Sequence, residues 1–199
     1  MNNNSASLGK RIIAYLIDSV MLTVIILNFF PVFYSDNIKI RELEENRQQL
    51  NNSYIEEKIT YKEYVKKSAE ITYELEKEQV MLNVIDAVLL ICIYIIVPFF
   101  LGGSTIGKKI MRIKIINEDG TKPSLNTLFI RSLFINGLAY VLVALACIFV
   151  LNSFAYFIVA SIFTIFEFLL VIISFFMISY RHDKQGLHDL IAHTKVVCE

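Results

Sequence analysis

The first long apolar stretch, residues 12–34, constrains the fold more than any other part of the chain. It follows two cations, Lys10 and Arg11, and contains a single charged residue, Asp18. A helix of about twenty residues crosses the roughly 30 Å hydrocarbon core of a bilayer, because each residue adds about 1.5 Å. Asp18 interrupts the stretch and no small-residue cleavage site follows it. We therefore predict a retained transmembrane helix and not a cleaved signal peptide.

Similar apolar stretches recur three more times along the chain. Of the 199 residues, 55% are hydrophobic and the mean hydropathy is +0.55, but the apolar residues are concentrated in four blocks. This pattern predicts an all-α polytopic membrane protein and excludes a soluble domain with a large core. We expect one membrane domain, 1–199, with four transmembrane helices at about 12–34, 80–101, 132–151 and 154–180.

The charged residues between the spans predict the topology. The loop 102–131 carries six Lys/Arg and only two Asp/Glu, and two Lys/Arg precede the first span. Because positive charges favour the cytoplasmic side, we expect this loop, the N-terminus and the tail 181–199 in the cytoplasm. Segment 35–79 is then extracytoplasmic. The many Ile, Asn and Lys residues favour a bacterial plasma membrane.

Segment 35–79 differs in character from the rest of the chain, with eight Lys/Arg and eleven Asp/Glu. Its apolar residues have helical spacing, and Thr60-Tyr-Lys-Glu63 fits a capping box at the start of a second helix. The segment therefore predicts a helical hairpin outside the membrane. Two interpretations stay open: a solvated spacer between two spans, or a docking surface for a protein partner.

Three carboxylates fall inside predicted spans: Asp18, Asp86 and Glu167. A charge in the hydrocarbon region costs several kcal/mol, so such acids are either functional or neutralised by a partner. We expect the three at different depths, an arrangement that suits a path for a cation or proton. In the structural alternative, Asp18 pairs with Arg131 and Asp86 reaches the outer interface.

The loop after the second span contains Gly102-Gly-Ser-Thr-Ile-Gly-Lys-Lys109, which nearly fits a phosphate-binding loop. It lacks the final Ser/Thr and follows a transmembrane helix instead of a buried strand, so we reject a nucleotide site. Four cations here are predicted to lie against anionic lipid headgroups: Lys108, Lys109, Arg112 and Lys114. Residues 114–120 predict a strand and an Asp-Gly turn, with 195–197 as the partner strand in a small cytoplasmic β element.

Signals for catalysis or cofactors are missing from the sequence. The tail histidines His182, His188 and His193 do not have the spacing of a closed metal site. The three cysteines form no framework, and no Ser/His/Asp or Cys/His set is apparent. We predict that the protein is not an enzyme and holds no cofactor or metal, and its zero net charge gives no indication of nucleic acid binding.

Several motifs, taken together and in order, resemble the RDD family of membrane proteins. The family is named for an arginine and two aspartates, which by motif correspond to Arg11, Asp18 and Asp189. The resemblance covers residues 7–197 apart from 35–79, and it implies a membrane protein for which transport is often suggested; some members resemble sodium/proton antiporters. The motifs are Arg11-Ile-Ile-Ala-Tyr-Leu-Ile-Asp18, Gly103-Ser-Thr-Ile-Gly107-Lys108, Asp119-Gly120, Arg131, and Gly186-Leu-His-Asp189 through Thr194-Lys-Val-Val197.

Our leading hypothesis is a membrane protein that moves, or helps to move, a small cation or proton, with Asp18 and Glu167 as candidate carboxylates. We also expect Arg11, Arg131 and Asp189 to join Asp18 in a charge cluster at the cytoplasmic edge, either as a structural lock or as an inner gate. Four spans are few for a transporter, so a working pore needs a homo-oligomer. The alternative is a non-catalytic membrane module or accessory subunit that binds a partner through segment 35–79.

Overall fold

The computed structural model describes residues 5–34 and 37–199, without the side chains of residues 29, 30 and 32–34. These residues are mainly helical, with one small sheet. In chain order they form α1 (Leu8–Tyr34), α2 (Ile38–Ile55), α3 (Tyr61–Glu78), α4 (Val80–Ile91), a π-helical turn (Cys92–Ile96), α5 (Val97–Phe100), α6 (Ile106–Ile110), β1 (Ile113–Asn117), α7 (Leu125–Ile135), α8 (Leu138–Cys147), α9 (Ser153–Tyr180), α10 (Leu187–Ile191) and β2 (Thr194–Cys198).

Three helical stretches in the described residues are long and apolar enough to cross a membrane: Leu8–Asn28, Val80–Phe100 and Ser153–Tyr180. Only 11%, 28% and 6% of the residues in their most apolar windows are buried. Such helices expose apolar side chains over most of their surface, which water would not tolerate but lipid does. These features indicate an integral membrane protein.

The second of these stretches contains a local irregularity. Pro98 lacks the N–H that an α-helix would donate to the carbonyl of Tyr94, and the chain passes this point through the π-helical turn Cys92–Ile96. The helical direction continues to Phe100, so the predicted span 80–101 is one composite helix.

The predicted third helix, 132–151, is wrong as a continuous element. Helices α7 and α8 are bent by 78° at a short break. Gly137 lies at this break with φ of 75°, in the left-handed region that ends a helix. The pair is either one broken span or a re-entrant loop. A prediction from hydropathy misses such a break, because the residues on both sides of it are apolar.

The segment between the first two spans is a helical hairpin, as predicted, although its first two residues, 35 and 36, lie outside the described part. Thr60 and Glu63 form the predicted capping box at the start of α3. The hairpin does not project freely, because Tyr73 of α3 packs edge-on against Tyr156 of α9, with ring centroids 5.6 Å apart. One residue, Gln79, separates α3 from α4.

The predicted small sheet is confirmed. Strands β1 and β2 pair antiparallel, with Ile115 opposite Val196. The N–H of Ala6 donates to the carbonyl of Val196 at 2.9 Å, which brings the beginning of the chain beside β2. Apolar residues of the sheet, of α1 and the segment before it, of α4 and the π-helical turn, and of α7 and α8 form one core: Ala6, Ala14, Leu90, Ile93, Tyr94, Ile95, Ile113, Ile115, Leu128, Leu138 and Val196. The sheet is thereby fixed to one end of the helices.

Candidate functional site

The buried carboxylate of Asp189 joins three distant parts of the chain. Its Oδ2 accepts a hydrogen bond from the backbone N–H of Gly186 at 2.9 Å, at the start of α10. Arg11 of α1 donates from Nη1 to the same oxygen at 2.8 Å. Arg131 of α7 donates from Nη1 to Oδ1. Two guanidinium groups therefore share one carboxylate, and we call this set the Arg11–Asp189–Arg131 cluster.

The two arginines also bind oxygen atoms around the cluster. Nη2 of Arg11 donates to the carbonyl of Lys184 at 2.7 Å, and Nη1 of Arg131 donates to Oγ1 of Thr194 at 2.9 Å. The cluster therefore fixes the first turn of α1 and the middle of α7 to the tail that carries α10 and β2. Removing one partner from such a buried ion-pair network is strongly destabilising, because it leaves an uncompensated charge.

The surroundings keep Asp189 charged and its neighbour His188 neutral. Burial alone would raise the pKa of Asp189, but the charges of Arg131 and Arg11 hold that pKa well below its usual range. Burial lowers the pKa of His188 to about 3, and the attraction of Asp189 only partly opposes this. Nδ1 of the His188 ring lies 3.2 Å from Oγ of Ser174 in α9 and is hydrogen-bonded to it.

Asp18 is fully buried but bonds outside this cluster. Its Oδ1 accepts the backbone N–H of Gly107 at 2.7 Å, and its Oδ2 accepts the hydroxyl of Thr105 at 2.5 Å. The predicted alternative, an ion pair between Asp18 and Arg131, is wrong. Asp18 instead holds the start of the short helix α6 against α1, through two uncharged donors.

A glycine explains how α6 comes so close to α1. A Cβ added to Gly107 would lie 2.1 Å from the carbonyl oxygen of Ala14 and 3.0 Å from Cγ of Asp18. Any larger residue would push the two helices apart and break the hydrogen bond to Asp18. The Gly107 position in the motif therefore serves this close packing.

The other two predicted acids lie elsewhere. Glu167 is half-buried in α9, and its Oε1 accepts the backbone N–H of Tyr140 at 3.0 Å, in the first turn of α8. Asp86 is half-buried in α4 and makes no hydrogen bond or ion pair with the residues that the structure describes. The three intramembrane acids thus occupy three separate places, and the structure does not bring them together.

The four cations predicted to contact lipid headgroups have different surroundings. Lys109 pairs with Glu199, with Nζ 3.3 Å from Oε1. The carbonyl of Arg112 accepts the N–H of Glu199 at 3.0 Å. Lys114 lies half-buried on β1, and Lys108 lines a cavity. Contact with headgroups stays a prediction for all four.

The sequence reasoning missed Thr105, Thr194 and Ser174 as polar partners of the buried charged and titratable groups. Thr105 alone carried a usable signal, because threonine is a favoured N-cap and its side chain accepts the N–H of Lys108 at 3.2 Å. Thr194 and Ser174 meet their partners through long-range folding, which local sequence does not encode.

The fold and the cluster define an integral membrane protein whose small two-stranded sheet is fixed to its helices by two arginines and an aspartate. The chain belongs to the RDD family, which it matches over residues 5–193. It is also similar to the uncharacterized protein YckC of Bacillus subtilis (strain 168), with 36% identity over 102 residues. That alignment covers 51% of this chain, which spans about half (52%) of the length of this curated relative. No solved structure matches.

Proposed function

We propose that this membrane protein exchanges a small cation for a proton, with Glu167 as the carboxylate that binds them in turn. The observation that carries the proposal is the position of Glu167 at the break between α7 and α8. Because a charged acid within a span is costly, such acids face the protein interior or water, where they mark ion pathways and proton relays. Discontinuous helices of this kind build many ion sites in transporters.

The surroundings of Glu167 suit such exchange better than those of the other acids. Glu167 is fifteenth of the 28 residues of α9, which corresponds to mid-depth if α9 crosses the bilayer. It accepts one hydrogen bond, from Tyr140, and one carboxylate oxygen is left for an ion. Asp18 has both oxygens bonded and no exposed surface, so we assign it a structural role.

The proposal is tested by ion-driven pH change in proteoliposomes of the purified protein. An imposed gradient of Na⁺, Li⁺ or K⁺ is expected to change the internal pH with wild type and not with Glu167→Gln. Glutamine keeps an acceptor for the Tyr140 N–H, so the variant is expected to fold. Asp86→Asn is the matched control and is expected to keep its flux. No flux in folded, inserted wild type would contradict the proposal.

A second candidate function is that of an accessory subunit that binds a protein partner through α2 and α3. Aromatic side chains gather at the tip of this hairpin: the rings of Tyr54 and Tyr64 stack at 4.6 Å, and Tyr61 is 69% exposed. Tyrosine is enriched in protein interfaces. Tyr61→Ser should abolish co-purification of a partner from native membranes, whereas Lys62→Ser should not.

Both candidates allow a homo-oligomer. Large apolar side chains remain exposed along α9, including Ile162, Ile165 and Phe168. They face lipid in a monomer, and in an oligomer they would also supply a contact between copies. The mass of the protein without its detergent, from light scattering, separates the two states.

A further inference from the structure

A cavity of about 230 Å³ lies between α1, α7, α9 and the sheet. The charged groups in its lining are all cations: Arg11, Lys108 and Arg131. His188 also lines it and is neutral at pH 7. Among the described residues no Asp or Glu contributes to the lining. The cavity therefore brings three cationic side chains together within a largely apolar lining.

The positive charge of this region exceeds the negative charge beside it. Asp18 and Asp189 are the two buried acids among the described residues, and they stand against the three cations that line the cavity. Burial and the charge of Arg131 lower the pKa of Lys108 to about 8, so the ammonium is still mainly charged at pH 7. One positive charge is left over, and an anion in the cavity would balance it.

Arg131 has donors to spare for such an anion. All its hydrogen bonds to the described residues come from Nη1, which binds Asp189 and Thr194. Among the described residues, every buried side-chain nitrogen or oxygen has a hydrogen-bond partner. Since Nε and Nη2 of Arg131 have none among these residues, they must keep some accessible surface. Two parallel N–H groups of a guanidinium match two oxygens of a phosphate.

The cavity walls become apolar toward the outer surface of the helices. Ile12 and Leu16 of α1 and Val171 and Phe175 of α9 line the cavity, and each is between 41% and 54% exposed. Side chains that line a cavity and also face the membrane mark a lateral opening between α1 and α9. An occupant would thus have an anionic end among the cations and an apolar part among these side chains.

We propose that this cavity binds the phosphate headgroup of an anionic phospholipid, with the acyl chains lying between α1 and α9. The volume is below the roughly 300–1,000 Å³ of pockets that enclose drug-sized ligands, so the site suits a headgroup and not a whole lipid. Basic pockets between transmembrane helices bind anionic headgroups elsewhere. The proposal does not depend on cation exchange at Glu167.

The test is a thermal-unfolding titration of the purified full chain in an uncharged detergent. Short-chain phosphatidylglycerol is added as the probe, beside short-chain phosphatidylcholine and inorganic phosphate. We expect a saturable rise in Tm with phosphatidylglycerol only. Lys108→Gln should weaken the apparent affinity at least roughly tenfold, since it removes a charged hydrogen-bond donor. Lys109→Gln, which changes a neighbouring lysine outside the cavity, should bind as wild type does.

Three results would overturn the proposal: an equal rise with phosphatidylcholine, an equal rise with inorganic phosphate alone, or unchanged phosphatidylglycerol affinity in Lys108→Gln. The second of these would identify a site for the free anion. If Lys108→Gln does not fold, Val171→Phe serves instead, because it narrows the apolar opening and keeps every charge. The same loss of affinity is expected from it, and unchanged affinity would count against the lipid.

Discussion

At the residue scale, Asp189 is the shared partner of two buried arginines. Arg11 and Arg131 come from helices at opposite ends of the sequence, and each uses Nη1 to reach a different oxygen of Asp189. The pairing concentrates much of the stability of the tail in one side chain, because neither arginine has another carboxylate in contact within the described residues.

Asp189→Asn should therefore destabilise the protein strongly. The asparagine leaves two guanidinium charges without a counterion, a change that costs about 3–5 kcal/mol. A loss of this size should lower Tm in detergent by on the order of 10 °C. Asp183→Asn is the control, since Asp183 forms an exposed pair with Arg181, and it should change Tm little. Equal Tm values for both variants would contradict the assigned role of Asp189.

His188 should make the stability depend on pH in a window of its own. Its pKa is about 3 in the folded protein and about 6.5 in the unfolded chain, so below pH 6.5 the unfolded state binds the extra proton. The contribution of neutral His188 to the free energy of unfolding is thus fully present above pH 6.5, and it is lost as the pH is lowered. The loss reaches about 2 kcal/mol at pH 5.

The measurement is Tm against pH for wild type and His188→Gln. The variant should lose less Tm between pH 7 and pH 5, whereas His182→Gln, which changes an exposed tail histidine, should follow wild type. Asp189 makes stability depend on pH in a lower range. Because its pKa is lowered in the folded protein, its contribution is fully present above the unfolded pKa near 3.9 and is lost as the pH falls below that value. Identical profiles for His188→Gln and wild type above pH 5 would refute the prediction.

The sequence predicted the charged members of the site better than their partners. Arg11 and Asp189 were predicted through the resemblance to the RDD family, which supplies the two motifs that contain them. The partners of Asp18 were not, since a backbone N–H at Gly107 and one threonine hydroxyl look like any other loop atoms in a sequence. Asp18 is shielded from solvent because α6 packs on α1, and the local sequence does not show this packing.

At the element scale, the contact between α1 and α6 depends on the absence of a side chain at Gly107. Gly107→Ala should lower Tm clearly, because the new Cβ meets the backbone of Ala14 and no flexible side chain can move away. Gly9→Ala is the matched control: nothing lies within 4 Å of its added Cβ and it sits in α1, where alanine is the better helix former. It should leave Tm unchanged or slightly raised. An unchanged Tm in Gly107→Ala would contradict the close packing of α6 on α1.

The elements themselves were predicted well where periodicity or caps were strong. The hairpin of α2 and α3 and the pairing of β1 with β2 follow from the capping box and the strand pattern. The break at Gly137 was missed, because a glycine within an apolar run does not by itself separate a span from two half-helices.

At the scale of the whole molecule, the distribution of charge predicts both termini and the sheet in the cytoplasm. A cysteine introduced at Lys58, in the turn between α2 and α3, should react with an impermeant maleimide on intact cells. A cysteine at Asp119, in the turn after β1, should react only after permeabilisation. Both are placed in a background whose three native cysteines are replaced. The reverse labelling pattern would show that the topology is the opposite of the predicted one.

The central claim, exchange at Glu167, is tested most directly by proton release on cation binding. Purified protein in weakly buffered detergent solution is mixed with Na⁺, Li⁺ or K⁺, and the released protons are counted. At a pH where Glu167 holds its proton before the cation is added, we expect about one proton per chain from wild type and Asp86→Asn, and none from Glu167→Gln. Equal release from Glu167→Gln, or no release from folded wild type with any of the three cations, would contradict it.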